Sequence, residues 1–279
     1  MKKALSFLFL LTPFILEAQY YYTDIIGTRE ITGRMKNYLS AKVASIATSG
    51  YDARGARTGD FNEWQEVQPS KNTLKITTRN GQSVSRTYYT FDTDGKLVSA
   101  RDSAAGIQSM TKYSYDAKGL LSNIKTSVTD SLKDFTETDE HVWIYGNTGK
   151  LEKMWRIVNE KDSTEYRFNT DDNGNIVDEQ LFRRGTGIDP VYYYYNEQNQ
   201  LTDIVRYNKK VKKLLPDMMF EYDDKGRVSQ KITTLSTTSP DYLIWRYLYN
   251  ESGLKTKEAL FNKQKELTGR MEYAYTFLQ

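Results

Sequence analysis

The sequence has no cysteine and a single histidine, His141. Without cysteine there is no disulfide frame, no thiol nucleophile, no cysteine metal site and no lipidated cysteine. One histidine excludes a multi-histidine metal centre and a histidine relay. Charge of one sign is also lacking: 39 Lys and Arg face 36 Asp and Glu, for a net charge of +3. A nucleic-acid partner calls for a stronger basic excess. The best basic run, Lys209-Lys210-Val211-Lys212-Lys213, reads as a solvated loop between strands. Mean hydropathy is −0.68, which excludes a multi-helix membrane protein. What the chain does have is aromatic: 22 Tyr, 11 Phe and 4 Trp in 279 residues. Disordered chains are poor in such rings, and tyrosine suits a half-buried β-surface better than a helix interior.

The N-terminus reads as an address. Lys2 and Lys3 precede the apolar stretch Ala4 to Leu16, and Leu16-Glu17-Ala18 offers a small residue for cleavage. This is the signal-peptide pattern, too short and Pro13-interrupted for a span. Cleavage after Ala18 is expected, leaving residue 19 at the mature end. The expected compartment is the periplasm, with the cell surface or the medium as alternatives; the absence of cysteine suits an oxidising site.

A nine-residue pattern then recurs: aromatic, any, aromatic, Asp or Asn, two variable residues, Gly, any, aliphatic. Its turn residues are Asp92 and Gly95, Asp116 and Gly119, Gly149 with Gly146 in the first slot, Asp171 and Gly174, Asn196 and Asn199, Asp223 and Gly226, and Asn250 and Gly253. The second-aromatic slots fall at 91, 115, 145, 170, 195, 222, 249 and 275, spaced by 24 to 30 residues. Asp or Asn accepts backbone amides inside a tight turn, and Gly three residues later supplies positive φ. Each copy is therefore a hairpin turn, and Tyr115 should face Leu121 across it. Regular turns are expected to line one edge of the sheet and variable loops, such as Gly185 to Pro190 and Ser236 to Pro240, the other. The expected fold is all-β: an antiparallel meander of about seven hairpin repeats (81–279) forming a curved or partly wound sheet. Residues 19–80 are expected to cap its first edge with a helix from Arg29 to Ser40, a strand from Lys42 to Thr48, a loop from Tyr51 to Asp60, and two strands around Asn80-Gly81.

Tyr222-Asp223-Asp224-Lys225-Gly226-Arg227-Val228 and Tyr115-Asp116-Ala117-Lys118-Gly119-Leu120-Leu121 resemble the YD repeats of the RHS family of bacterial secreted and surface proteins. The resemblance runs from about Tyr88 to Tyr275, and the chain is also similar to short exported envelope proteins of bacteria. It implies a hairpin sheet in which the Tyr and Asp positions are structural, so no catalytic residue carries over. The spacing here is longer than the family's, and the copies are few for a cargo shell.

Nothing in the sequence selects a catalytic pair. Asp171-Asp172 and Asp223-Asp224 each place one member in a turn slot, and the stretch from Thr170 to Gly174 lacks the spacing of a calcium loop. No enzyme activity, cofactor or metal is expected. The expected function is an exported scaffold presenting loops and tyrosines to an envelope protein. A carbohydrate-binding module using Tyr192, Tyr193, Tyr194 and Tyr195 on cell-wall or surface glycan is one alternative. An outer-membrane β-barrel is another, since export, antiparallel strands and aromatic alternation fit it. A hydrolase with an unassigned carboxylate pair stands last.

Overall fold

The computed structural model describes residues 19–104, 106–130, 135–235 and 241–279. The expected leader, residues 1–18, and the expected loop at 236–240 lie outside them. A π-helical stretch, Tyr21–Ile26, runs into helix α1 (Gly27–Ser40). Eighteen strands follow: β1 (Val43–Asp52), β2 (Arg57–Gln68), β3 (Thr73–Asn80), β4 (Ser83–Phe91), β5 (Leu97–Ala104), β6 (Ile107–Tyr115), β7 (Leu121–Asp130), β8 (Phe135–Tyr145), β9 (Leu151–Val158), β10 (Asp162–Thr170), β11 (Ile176–Arg183), β12 (Thr186–Tyr195), β13 (Leu201–Asn208), β14 (Lys213–Tyr222), β15 (Val228–Thr234), β16 (Tyr242–Tyr249), β17 (Lys255–Phe261) and β18 (Leu267–Phe277).

Each strand pairs antiparallel with its neighbours in sequence, and β18 returns to pair with β1, from Val43 opposite Phe277 to Asp52 opposite Gly269. The sheet is thus a closed 18-stranded barrel. This corrects the expected curved or partly wound meander of seven repeats. An open repeat sheet leaves two unpaired edges, and closure removes both. Closure favours the outer-membrane β-barrel alternative over the open repeat scaffold. Residues 43–80, set apart in the sequence as a cap, supply three strands of the same ring.

The seven motif turns join even to odd strands and so share one end of the barrel. Asp116 shows how each is closed. Its Oδ1 accepts the amides of Lys118 and Leu120 at 2.9 and 2.8 Å, while Gly119, at φ 78°, donates back to the Asp116 carbonyl. Asp92, Asn196 and Asp223 accept the corresponding pair of amides. Gly146 has no side-chain acceptor, yet its backbone bonds to Lys150 and Gly149 preserve the same turn. Each turn is followed by a register shift, as between Ser114 and Tyr115, the signature of a bulge.

The second-aromatic tyrosines then tie one hairpin to the hairpin before it. The hydroxyls of Tyr115, Tyr145, Tyr222, Tyr249 and Tyr275 donate to the carbonyls of Leu97, Leu121, Leu201, Val228 and Lys255, at 2.6 to 3.0 Å. Each acceptor occupies the aliphatic slot of the preceding copy. Phe91 and Thr170 have no phenol to offer, and the Tyr195 hydroxyl is buried without a partner.

The helix lies inside the barrel. Tyr21 and Ile25 pack with inward residues of β7 to β14, among them Ile124, Trp143, Met154, Val191 and Ile204. Met35 and Tyr38 pack with Val43, Ile46, Val67, Leu74 and Leu97 of β1 to β5. The edge cap expected at 29–40 is therefore a luminal plug, and its helical conformation begins at Tyr20, earlier than the Thr28 start the apolar spacing suggested. An edge needs covering only in an open sheet; in a ring the apolar helix face is buried by the lumen. Two expected loops are also corrected. Tyr51 to Asp60 contains a tight turn and the start of β2, and all but Gly185 of the segment 185–190 belongs to β12.

Candidate functional site

The inner face of the barrel carries buried polar groups aimed at the first turn of the helix. Glu179, on β11, is fully buried. Its carboxylate accepts the amides of Tyr20 and Tyr21 at 2.9 and 3.0 Å and the Tyr193 hydroxyl at 2.8 Å. The first amides of a helix lack partners within it, and an acceptor placed there is favoured by the helix dipole. Burial raises the Glu179 carboxyl above its usual range, and the three donors oppose that shift.

Three strands along the same side of the ring, on β8, His141 Nδ1 lies 2.6 Å from Asp24 Oδ2 of the helix. Its Nε2 lies 3.4 Å from Asp139 Oδ1 without hydrogen-bond alignment, and Asp139 in turn accepts Arg156. Burial alone would disfavour the imidazolium. The flanking carboxylates of Asp139 and Asp24 outweigh it and lift His141 to about 9. Desolvation likewise opposes the Asp139 charge, and His141 and Arg156 together hold that carboxyl down to about 2. A third pin is Asp217, which accepts Gln19 Nε2 at 2.9 Å and Arg206 Nε at 2.8 Å. Three strands spaced three apart along one side of the ring, β8, β11 and β14, thus clamp one end of the plug.

Beside the clamp a cavity of about 650 Å³ opens at the end that carries the motif turns. The helix contributes Tyr21, Ile25, Thr28, Arg29, Thr32, Gly33 and Lys36; the turns contribute Lys96, Tyr115, Leu121, Tyr145, Lys150, Leu151, Asp172 and Ile176, with their neighbours. Tyr21, Ile25, Leu121, Leu151 and Ile176 make a buried apolar floor. The two phenols are neutral donors, each pushed up to about 12 by burial. Sequence reasoning missed this site, because it joins a helix to turns some 60 to 155 residues away along the chain. The signal available was Arg29 and Lys36, seven residues apart and so on one helix face, beside the Ile31, Met35 and Leu39 stripe.

The four tyrosines singled out in the sequence separate by strand alternation. Tyr193 and Tyr195 point inward, the first bonded to Glu179; Tyr192 and Tyr194 are outward, opposite Val205 and Asp203. Turn residues Asp171 and Gly174, Asn199 (φ 58°), Gly226, Asn250 and Gly253 sit in their motif turns. Among the described residues no group of three His, Asp or Glu side chains is arranged to hold a metal. Among the described residues no helix is long and apolar enough to cross a membrane, which says nothing of strands.

The outer wall divides in two. From β1 to β11 it carries charged contacts between neighbouring strands: the ion pairs Lys75 with Glu66 and Lys125 with Glu140 at 3.5 Å, and the cation–π contact of Arg167 over the Phe182 ring at 4.0 Å. From β12 to β17 runs an outward apolar row: Tyr192 opposite Val205, Val205 opposite Pro216, then Met219, Ile232, Ile244 and Phe261 in cross-strand register.

No protein-family model matches the chain, and no curated protein does. Among solved structures it is similar to a Tc holotoxin pore of Photorhabdus luminescens, at 12% identity and a TM-score of 0.34 over 78% of this chain. The chain spans only 12% of that toxin chain's length. It is also similar to porin-like proteins from Bacteroides uniformis (9% identity, TM-score 0.38, 85% of this chain and 97% of that one) and Bacteroides vulgatus (12%, 0.32, 85% and 99%). At TM-scores this low none of the three carries an argument about activity.

Proposed function

We propose that the chain is a helix-plugged β-barrel of the bacterial envelope that binds a ligand at its motif-turn end, and that it neither conducts solutes nor catalyses a reaction. The carrying observation is the helix in the lumen, clamped by the fully buried Glu179. An open pore of this strand number holds water along its axis; here two aromatic-rich clusters and the helix occupy it. The closed ring and the apolar row on β12–β17 support work at the outer membrane. Lipid around the whole wall is disfavoured by the charged strands, because Lys or Arg at a bilayer midplane costs about 2–4 kcal/mol each. In this reading the barrel lies against the membrane along the apolar sector and leaves its charged sectors in water.

The test is expression with the leader in a Gram-negative host, followed by fractionation, alkaline carbonate washing and planar-bilayer recording. The expected result is a processed chain in the envelope fraction, released by carbonate without detergent, with no conductance. A chain that resists carbonate and migrates in a heat-modifiable form spans the outer membrane all round. Stepwise conductance would overturn the plugged reading.

A further inference from the structure

The rim cavity combines two chemistries rarely left open together. Its floor is apolar and drawn from the helix and three hairpins: Tyr21, Ile25, Leu121, Leu151 and Ile176. Its mouth holds four cations, Arg29 and Lys36 from the helix and Lys96 and Lys150 from the turns, against one carboxylate, Asp172. None of the four cations is within ion-pair distance of a carboxylate among the described residues. Lys150 donates only to the Asp171 carbonyl, and Lys96 lies 5.2 Å over the Tyr115 ring. Other cations of the described residues, such as Lys112, Lys153 and Arg184, also lack an ion-pair partner; what sets these four apart is that they converge on one concave mouth. A concave wall focuses the field of such a cluster and raises the local concentration of anions. The cavity is also of ordinary small-molecule size, since binding pockets run from about 300 to 1,000 Å³.

We infer that the cavity binds an acid-headed amphiphile: one anionic group held by Arg29, Lys36, Lys96 and Lys150, and an apolar body laid on Tyr21, Ile25 and the hairpin leucines. The inference deepens the binding reading above and rests on it. The head is a carboxylate or a phosphate, for both satisfy the same cations. The helix face and the turn face grip the ligand together, so binding also tightens the plug.

The test uses the full processed chain and calorimetric titration with decanoate, decyl phosphate and 1-decanol. Both anions should bind at least tenfold tighter than the alcohol, with affinity falling as salt rises from 50 to 300 mM. The double variant Arg29→Glu/Lys36→Glu, two exposed positions on the helix, should lose at least tenfold in anion affinity while its melting temperature and weak decanol binding stay put. Asp172→Lys should tighten both anions about threefold, which keeps the test open if the double variant folds poorly. Tighter decanoate than decyl phosphate would point to a fatty acid, the reverse order to a phosphate ester. Equal binding of alcohol and anions, or anion binding untouched in the double variant, would overturn the inference. So would inorganic phosphate competing as well as decyl phosphate, since the apolar floor would then be idle. Conductance or full membrane insertion would instead strike the plugged-barrel reading, and neither is read by this titration.

Discussion

The two ends of the luminal helix are fixed by opposite means. At the N-terminal end the clamp is ionic and assembled from distant strands: Glu179 on β11, His141 and Asp139 on β8, Asp217 on β14. At the C-terminal end the contact is mainly apolar and local in sequence, with the half-buried Arg34 set among Tyr38, Tyr89, Tyr273 and Glu63. Met35 and Tyr38 pack on Val43 and Ile46 of β1, which follows the helix after only two residues. There the Tyr38 hydroxyl donates to Gln65 Oε1 of the wall at 3.2 Å. A short connection makes packing sufficient, because the covalent chain already holds the helix close. At the far end, directional bonds to β8, β11 and β14 fix where the helix stops.

The largest expected effect comes from breaking the ionic end. Glu179→Ala strands two helix amides and the Tyr193 hydroxyl in the core, and should cost about 4 kcal/mol in urea unfolding. Glu179→Gln keeps the shape but turns an N–H toward a donor, so it should recover only part of that loss. Next in size is the packed end. Met35 is 2% exposed, and Met35→Ala should cost about 3 kcal/mol through the cavity it leaves. The comparison is sharpened by salt: the Met35 loss should not move between 50 and 500 mM NaCl. A Glu179→Ala loss no larger than that of a surface substitution would show that the clamp contributes little.

The packed end was the more legible in sequence. Ile31, Met35 and Leu39 announce a helix by spacing alone, and the motif turns announce the hairpins, because a turn's chemistry is contained within five residues. The ionic end was not legible. Glu179, His141 and Asp217 are ordinary polar residues of three separate strands, and only closure of the ring brings them together. Closure itself has no local signal. Each hairpin of an open meander and of a barrel reads alike, and the difference lies in β1 meeting β18 across more than 200 residues. Two further turns of the same chemistry were also hidden, and both join odd to even strands and so lie at the other end of the barrel: Tyr51-Asp52-Ala-Arg-Gly55 fits the Tyr-Asp-x-x-Gly form, and Asn262 to Lys265 puts Lys at φ 63° where Gly is expected.

A smaller effect separates the two ends by pH. His141 rises from its ordinary value near 6.5 to about 9 in the folded chain. A raised value contributes stability that is fully present below pH 6.5 and is lost as pH climbs through 9. Asp139, lowered to about 2, contributes above about pH 4 and loses it as pH falls through 2. The ionic end should therefore be tightest between about pH 4 and 6.5. Unfolding free energy measured from pH 5 to 9.5 should decline on the alkaline side in the wild type and in Met35→Ala alike. His141→Gln should cost about 2 kcal/mol at pH 6 and flatten that decline. An unchanged alkaline slope in His141→Gln would place the titration elsewhere.

The smallest effect tests what surrounds both ends, the tyrosine ties between hairpins. Tyr222 donates to the Leu201 carbonyl at 2.6 Å, and its ring packs against the cluster on the ionic side; Tyr275 makes the matching bond to Lys255 on the packed side. Replacing either hydroxyl by hydrogen leaves the ring in place and removes one bond, worth about 1 kcal/mol. Tyr222→Phe and Tyr275→Phe should thus be alike, each near 1 kcal/mol, whatever the end. Phe91 already occupies the same slot without a hydroxyl, which shows that the ring alone suffices to build a hairpin. Tyr195 supplies the internal control. Its hydroxyl is buried without a partner, so Tyr195→Phe should be neutral or slightly stabilising. A loss of 1 kcal/mol there, equal to that at Tyr222, would mean the ties owe their strength to the ring's surroundings and not to the carbonyl they reach.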